Sequence, residues 1–331
     1  MDPQLHVMSS VIDRVNERAR TGVDNPQIWP TGFPILDEVL DGGFRAGNLI
    51  LLAGPAGQGK TTMSLQIARN AAAQGRAVAY FCYEHDPDVL LQKFVSLEVG
   101  ELYDHHAPNQ DVVRRVFENT EATPGGLETR LMENPPIAEA FRYLLKYENN
   151  LYIHRSTGST TTHEVIYNAV QEVMQHCGQP PLVIIDYLQK VKVDGGLVED
   201  ERVTLTVEAL KDMAITLHVP VLALSAADKE GLQAGKRMRA QHLRGSTALA
   251  YECDVMLIIN SKYDVVSRQH LVYGASNLER YKSFSVVSVE KNRNGRAGID
   301  MEFKKRFEQN RFETDGSVVK DTLVDERLVL E

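Results

Sequence analysis

The sequence has few cysteines, no long apolar run and no excess of basic residues, and each scarcity argues against a class of protein. Its three cysteines, Cys82, Cys177 and Cys253, are far apart and odd in number. They suit buried thiols in a reducing compartment better than disulfides or a metal cluster. No run of 18 apolar residues occurs, so we expect no membrane span. The N-terminus, Met1-Asp2-Pro3-Gln4, lacks the basic and apolar regions of a signal peptide. We therefore predict a cytoplasmic location.

The overall charge and composition are those of an ordinary globular protein. The formal net charge of −9 argues against a protein coated in nucleic acid, because such domains are usually basic. It is compatible with a local basic patch. The 331 residues are 43% hydrophobic, which supplies ample material for a core in one large domain or two small ones.

The most informative stretch is a glycine-rich loop between an apolar run and a helix-like run. It reads Gly54-Pro55-Ala56-Gly57-Gln58-Gly59-Lys60-Thr61, which has the G-x-x-x-x-G-K-[ST] spacing of a P-loop. The glycines let successive backbone N–H groups point at a phosphate chain, and the helix N-terminus adds its positive dipole end. Lys60 would reach the β- and γ-phosphates of ATP, and the Thr61 hydroxyl would hold Mg²⁺. The predicted nucleotide-binding residues are Gly54, Gly57, Gln58, Gly59, Lys60, Thr61 and Thr62.

Apolar runs alternate with helical patterns along most of the chain, which predicts an α/β fold with a mostly parallel central sheet flanked by helices. Before this region, residues 5–20 have the pattern of a short amphipathic helix that must dock on its own core or on a neighbouring subunit. After it, the charged tail beyond Phe312 is expected to be poorly ordered. Strands are predicted at residues 48–53, 77–83, 151–154, 182–186, 220–225 and 255–259, helices mainly at 62–73, 87–146, 162–176 and 205–217, and a final antiparallel pair at 284–290 and 299–303.

Three polar residues, Glu84, Asp186 and Ser225, end predicted strands, and the P-loop follows the end of another. Ligands of such sheets bind at the carboxyl ends of the strands, so these residues are expected to meet at one edge. Asp186 is predicted to bind Mg²⁺, with a strand-end cap as the alternative. Glu84 is predicted to activate the attacking water as a general base, with a solvated glutamate as the alternative.

Two basic segments have both a functional and an ordinary interpretation. Residues 291–296 form a predicted hairpin turn, so Lys291 and Arg293 are either part of a solvated loop or an arginine finger for a neighbour's ATP. Residues 229–244 hold five cationic side chains and one acidic one, with glycines that suggest mobility. This segment is either an ordinary loop or a contact for a nucleic-acid backbone. The residues predicted to make that contact are Lys229, Lys236, Arg237, Arg239 and Arg244.

Taken together, these motifs resemble the C-terminal ATPase domain of DnaB-type replicative DNA helicases, which has a RecA-like fold. The resemblance covers roughly residues 5–312. KaiC-like and RadA-like ATPases share the fold but fit two of the motifs less well, Asp186-Tyr187-Leu188-Gln189 and Lys291-Asn292-Arg293-Asn294-Gly295. The matching pieces are Thr31-Gly32, Leu36-Asp37, Gly42-Gly43, Gly54–Thr62, Tyr83-Glu84, Ile184-Ile185-Asp186-Tyr187-Leu188-Gln189, Leu224-Ser225, Leu243-Arg244-Gly245-Ser246, Cys253-Asp254-Val255 and Lys291-Asn292-Arg293-Asn294-Gly295.

The resemblance implies a role for each motif. Lys60 and Thr61 would bind phosphates and Mg²⁺, Glu84 would be the catalytic base, and Asp186 would hold Mg²⁺ at the Walker B position. Lys291 and Arg293 would act on the next subunit's ATP in a homo-oligomer, expected to be a hexameric ring. Loops after Gln189 and Ser225 would line a channel for single-stranded DNA. The implied layout is a linker helix over residues 1–25, an ATPase domain over 26–312 with its helical segment at 87–146, and a charged tail over 313–331.

The sequence also departs from the family pattern in three places. No segment matches the family's N-terminal helical domain, which contacts primase. Ala226 stands where the family usually has a glutamine that senses the γ-phosphate, and residues 261–283 form a longer segment than usual. The leading hypothesis is an ATP-hydrolysing DnaB-like helicase or translocase on single-stranded DNA. The alternatives are a KaiC-like or RadA-like regulatory ATPase that remodels a protein partner, and an oligomer that uses ATP only as glue.

Overall fold

The computed structural model describes residues 7–22, 28–119, 121–233, 235–245, 247–272 and 275–326. Helix α1 (Met8–Thr21) comes first and overlaps the helix predicted over residues 5–20, of which residues 5 and 6 lie outside the described ranges. Its apolar side chains are open to solvent: Met8 is 69% exposed, Ile12 53% and Val15 55%. A short antiparallel ribbon of β1 (Ile28–Trp29) and β2 (Phe44–Arg45) follows, with α2 (Pro34–Val39) between its strands.

The main sheet has ten strands within the described part of the chain. Six parallel strands lie in the order β8-β3-β7-β6-β4-β5, and antiparallel strands extend the sheet beyond β8. The parallel strands are β3 (Leu49–Gly54), β4 (Val78–Cys82), β5 (Leu151–Arg155), β6 (Leu182–Asp186), β7 (Val221–Ala226) and β8 (Val255–Ser261). The antiparallel strands are β9 (Phe284–Asn292), β10 (Ile299–Arg306), β11 (Arg311–Phe312) and β12 (Ser317–Val318).

Helices cover both faces of this sheet. Between β3 and β5 the chain forms α3 (Lys60–Ala73), α4 (Pro87–Tyr103), α5 (Gln110–Glu118), α6 (Gly126–Met132) and α7 (Pro135–Leu144), so residues 87–146 are mostly helical. The later helices are α8 (His163–Cys177), α9 (Glu199–Leu217), α10 (Ala248–Glu252), α11 (Lys262–Val265), α12 (Arg268–Val272) and α13 (Ala275–Lys282). None of the described helices is long and apolar enough to cross a membrane.

Strand β3 illustrates why the parallel strands read as continuous apolar runs. Ile50 and Leu52 point into one hydrophobic cluster, shared with α3, while Leu49, Leu51 and Ala53 point into the cluster on the other face, shared with α9. Successive side chains of a strand alternate between faces, so a strand covered on both sides must be apolar throughout. The central sheet is thus buried on both faces, and its polar chemistry is confined to the strand ends.

Residues of the Thr31-Gly32 and Leu36-Asp37 motif hydrogen-bond to one another and to α3. The Asp37 carboxylate accepts hydrogen bonds from the Thr31 backbone N–H and hydroxyl, both at 2.7 Å, and from the Gly32 N–H at 3.1 Å. Asn70 of α3 donates to the Thr31 carbonyl at 3.0 Å. A Cβ at Gly32 would lie 2.2 Å from the Asn70 amide, and its φ is +78°, so only glycine fits.

The expectation of a poorly ordered tail is wrong for residues 313–326. Strand β12 pairs with β10, and the Ser267 N–H donates to the Thr322 carbonyl at 2.8 Å. The buried Lys262 ammonium lies 2.6 Å from the Asp321 carboxylate and also pairs with Glu302. The charges that suggested disorder are therefore partners of cations on the sheet edge. Residues 327–331 lie outside the described ranges.

Candidate functional site

The P-loop connects the C-terminal end of β3 to the first turn of α3. Gly57 and Gly59 adopt positive φ angles of 75° and 93°, and a Cβ at Gly59 would lie 2.7 Å from the rings of Phe307 and Phe312. The loop therefore requires glycine at position 59 both for its backbone conformation and for close packing. The Lys60 ammonium lies across the loop, donating to the Gly54 and Pro55 carbonyls at 2.7 and 3.0 Å.

Asp186 lies directly opposite the start of α3, at the C-terminal end of β6. It is 2% exposed and accepts a hydrogen bond from the Tyr80 hydroxyl at 3.0 Å. Burial raises the pKa of Asp186 to about 6, while the nearby Thr61 and Tyr80 hydroxyls and the Lys60 ammonium oppose the rise. Burial likewise lowers the pKa of Lys60, and the charges of Asp186 and Glu84 oppose that shift. A hydroxyl and a carboxylate side by side are the oxygen ligands that Mg²⁺ prefers.

Glu84 completes this group from the neighbouring strand. It follows β4, which lies beside β6 in the sheet, and its side chain is exposed to an open cavity of about 520 Å³. Lys60, Thr61, Thr62 and Asp186 line the same cavity. Of the residues predicted to hold nucleotide, Gly54, Gly57 and Gly59 also line it, whereas Gln58 lines an adjoining cavity beside Asp264.

Several residues around this cavity were not anticipated from the sequence. Lys93 of α4 donates to the Asn310 side-chain oxygen at 3.3 Å, and the Asn310 amide donates to Gln110 at 2.9 Å. Phe307 adds an aromatic wall. These residues come from the helical segment and from the turn between β10 and β11, far from the P-loop in sequence. No local motif marks them, because only the folded sheet brings their elements together.

The Gln189 side-chain amide, in the loop after β6, hydrogen-bonds the end of β7 at Ser225. Gln189 donates to the Ser225 hydroxyl at 2.9 Å and to the Arg244 carbonyl at 3.0 Å, and its oxygen accepts from the Ala226 N–H at 3.3 Å. Ala226 itself lines the main cavity. Gln189 therefore connects the ends of β6 and β7. One of its contacts is to Ala226, the position at which the family usually has a glutamine.

Lys291 and Arg293 lie at the opposite end of the sheet from the P-loop of their own chain. Lys291 pairs with Met256 near the start of β8, and β8 is parallel to β3, whose far end leads into the P-loop. The Lys291 ammonium donates to the Ala250 and Tyr251 carbonyls. These two residues therefore do not join Lys60 and Asp186 within one subunit.

The basic segment is largely neutralised by carboxylates. Arg237 is 3% exposed and pairs with Asp300, so it is not available to a nucleic-acid backbone in this conformation, which corrects that part of the prediction. The other paired cations are Lys236 with Glu230, Arg239 with Glu290 and Asp325, and Arg244 with Glu199. Lys229 is exposed and forms no ion pair with a residue that the structure describes. Ser246, part of the adjoining motif, lies outside the described residues.

Two solved structures share this architecture. One, described as an "ATPase Domain", has a TM-score of 0.73 at 19% identity and covers 93% of this chain and 99% of that one. Another is described as "The Structure Of A DnaB-Like Replicative Helicase And Its Interactions With Primase", with a TM-score of 0.72 at 18% identity over 92% of this chain and 68% of that one. The predicted RecA-like α/β fold is confirmed.

Curated proteins with similar sequences carry the name of the family that the motifs resemble. The replicative DNA helicase DnaB of Mycoplasma genitalium is 28% identical over 276 residues, covering 81% of this chain and 52% of the relative. The protein of the same name from Haemophilus influenzae is 26% identical over 316 residues, covering 92% of this chain and 59% of the relative. This chain thus spans about half the length of the curated relatives it matches. Residues 29–314 match the family described as "DnaB-like helicase C terminal domain". The resemblance inferred from the motifs is confirmed, and the chain belongs to the DnaB-like helicase C-terminal domain family.

Proposed function

We propose that this chain is an ATP-hydrolysing motor of the DnaB-like helicase class that moves along single-stranded DNA as a homo-oligomer. The observation that carries the proposal is the convergence of Lys60, Thr61, Asp186 and Glu84 on one cavity at the carboxyl edge of the sheet. The family membership supports a helicase motor over a KaiC-like or RadA-like regulatory ATPase.

The residues around the P-loop suit ATP with Mg²⁺. The backbone of residues 54–59 and the N-terminus of α3 would hold the phosphates, and Lys60 would neutralise their charge. The adjacent oxygens of Thr61 and Asp186 fit a hard cation that prefers oxygen ligands. Mg²⁺, when bound, supplies charge neutralisation on the β- and γ-phosphate oxygens.

In the proposed reaction, Glu84 orients a water molecule and accepts its proton as the water oxygen attacks the γ-phosphorus. A bond forms between that oxygen and phosphorus, the bond to the bridging oxygen breaks, and ADP and inorganic phosphate result. Glu84 is exposed to the cavity, whereas Asp186 beside it is buried and hydrogen-bonded. The accessible carboxylate is thus the better placed to activate water, and the buried one to bind the cation.

We propose that Lys291 and Arg293 complete the ATP site of the next subunit, in an assembly expected to be a hexameric ring. Their place at the far end of the sheet from their own P-loop supports action in trans. The exposed apolar side chains of α1 suit docking on a neighbour, as the linker helix over residues 1–25 would require. The proposed ATPase domain spans residues 26–312, which agrees with the family match over 29–314.

Single-stranded DNA would then pass the loops after Gln189 and Ser225, with Lys229 and Arg244 as the more accessible cations of the basic segment. We place this activity in the cytoplasm, which the free thiols of Cys82 and Cys253 support.

The test is the steady-state ATPase rate with and without single-stranded DNA, measured together with the solution mass in the presence of nucleotide. We expect hydrolysis that single-stranded DNA stimulates and a mass well above the 37.0 kDa monomer. Hydrolysis that no DNA or RNA changes would contradict the helicase assignment. A nucleotide-dependent protein partner found together with that result would favour the regulatory alternative.

A further inference from the structure

A chain of three buried hydroxyl and carboxylate groups runs beneath the candidate cation site. The Ser64 hydroxyl lies 2.8 Å from the Tyr80 hydroxyl, and the Tyr80 hydroxyl lies 3.0 Å from Oδ2 of Asp186. Ser64 is 0% exposed, Tyr80 1% and Asp186 2%. Solvent therefore does not compete for these hydrogen bonds.

The sheet register explains why these groups meet. On neighbouring strands Tyr80 pairs with Ile184 and Cys82 pairs with Asp186, so Tyr80 and Asp186 lie on the same face of the sheet, two residues apart in register. That face packs against α3, where Ser64 lies one turn after Thr61. The Tyr80 phenol thus fills the space between the helix that begins at the P-loop and the strand that ends at Asp186.

The number of available protons fixes the direction of the hydrogen bond between Tyr80 and Asp186. An ionised Asp186 can only accept, so the single Tyr80 proton is donated to it. The Tyr80 oxygen is then an acceptor for the single Ser64 proton, which can also be donated to the Thr61 carbonyl at 3.0 Å. One carboxylate oxygen of Asp186 is held by Tyr80, which leaves the other oxygen and the Thr61 hydroxyl on the cavity side.

We propose that Tyr80 is a positioning residue that holds the Asp186 carboxylate in one orientation for Mg²⁺, and that Ser64 acts through Tyr80. The inference rests on the proposed function, because it concerns the cation of a bound nucleotide. Groups that orient a metal ligand commonly change metal affinity by about 10- to 100-fold when removed. Tyr80 is buried and is not among the residues that line the cavity, so we expect its effect to pass through Asp186.

The experiment measures binding of a fluorescent ADP analogue to the full chain while Mg²⁺ is titrated, with a parallel measurement in EDTA. In Tyr80→Phe, the Mg²⁺ concentration at half-maximal binding should rise about tenfold. The affinity for the metal-free nucleotide should stay within about twofold of wild type, because the P-loop is intact. Ser64→Ala should raise the Mg²⁺ midpoint by a smaller factor, and the double variant should not exceed Tyr80→Phe.

Tyr147→Phe is the matched control. Tyr147 is also buried and donates its hydroxyl proton to a carboxylate, that of Glu98, away from the cavity. This variant should lose stability but keep the wild-type Mg²⁺ midpoint.

An unchanged midpoint in Tyr80→Phe would overturn the proposal, as would an equal weakening in EDTA or an equal shift in the control. If Tyr80→Phe does not fold, Ser64→Ala with a wild-type midpoint would overturn it. Additive effects of the two substitutions would overturn the role given to Ser64. Wild-type protein without any Mg²⁺-dependent nucleotide binding would instead contradict the proposed function.

Discussion

Nη1 of Arg293 lies 3.2 Å from Oδ1 of Asp254, just before β8 and at the opposite end of the sheet from Lys60. The same Asp254 carboxylate accepts from Lys211 at 2.7 Å and from the Leu49 N–H at 2.8 Å. Asp254 therefore keeps its partners if Arg293 moves or is removed. Arg293 is 47% exposed and also donates to the Tyr251 carbonyl, so in the proposed oligomer its guanidinium would exchange these two contacts for the neighbour's ATP.

We predict that Arg293→Ala lowers the ATPase rate by about 10³-fold or more, the effect typical of an arginine finger. Mixing Arg293→Ala subunits with Lys60→Ala subunits should restore part of the activity, since some sites combine an intact P-loop with an intact Arg293. The measurement is the hydrolysis rate against mixing ratio. Arg296→Ala, which removes an exposed arginine from the same turn, should leave the rate unchanged. No recovery at any ratio would contradict a shared site.

The second prediction concerns the carboxylate exposed to the cavity. Glu84→Gln should lower the ATPase rate by about 10²- to 10⁴-fold, because the amide cannot accept the proton of the attacking water. Nucleotide affinity, measured with the fluorescent ADP analogue, should change little. Glu148→Gln alters an exposed glutamate away from the cavity and serves as the control. Unchanged turnover in Glu84→Gln would exclude Glu84 as the base.

The basic segment yields a prediction that separates binding from stability. Lys229→Ala should weaken binding to single-stranded DNA and make its salt dependence shallower by about one unit, without affecting thermal stability. Arg237→Met should instead cost about 3–5 kcal/mol of stability, because it leaves Asp300 without its buried partner. DNA binding by fluorescence anisotropy at several salt concentrations, together with thermal unfolding, checks both.

Lys320→Ala removes an exposed lysine outside the segment and is the control for charge alone. A Lys229→Ala protein with the wild-type salt slope would exclude that lysine as a phosphate contact. Wild-type stability in Arg237→Met would contradict the structural role given to its ion pair.

The fourth prediction concerns the C-terminal segment. Lys262 is fully buried and pairs with Asp321 and Glu302, so Lys262→Met should cost about 3–5 kcal/mol by leaving two carboxylates without their cation. Amide exchange in residues 317–325 should accelerate more than in the parallel strands. Lys282→Met removes an exposed pair with Glu279 and should cost at most about 1 kcal/mol. Equal effects of the two substitutions would contradict the role assigned to Lys262.

The parts of the site that could be predicted are those whose function depends on a local pattern. Gly57, Gly59 and Lys60 lie within four consecutive residues, so their spacing reports the loop directly. The place of Asp186 in the site could be predicted because it ends an apolar run, and the carboxyl ends of parallel strands lie together at one edge of the sheet. These rules need only neighbouring residues and the period of a strand.

The predictions that were wrong concern side chains whose partners are distant in sequence. The charges of the tail predict disorder if they are solvated, yet Asp321 pairs with Lys262 and Asp325 pairs with Arg239. The same kind of pairing removes Arg237 from the predicted nucleic-acid surface. Composition gives the number of charged residues but does not show which of them form ion pairs.

Residue type and short-range spacing were enough to establish that the chain carries a P-loop, that its central parallel strands are buried on both faces, and that it resembles the DnaB-like family. The surroundings of Asp186 could not be found in this way. The folded chain brings Tyr80 and Ser64 beneath the carboxylate and Lys93 and Asn310 to the cavity wall, and it places Arg293 at the far end of the sheet. Strand order and register set these positions, and they depend on contacts between residues far apart in the chain.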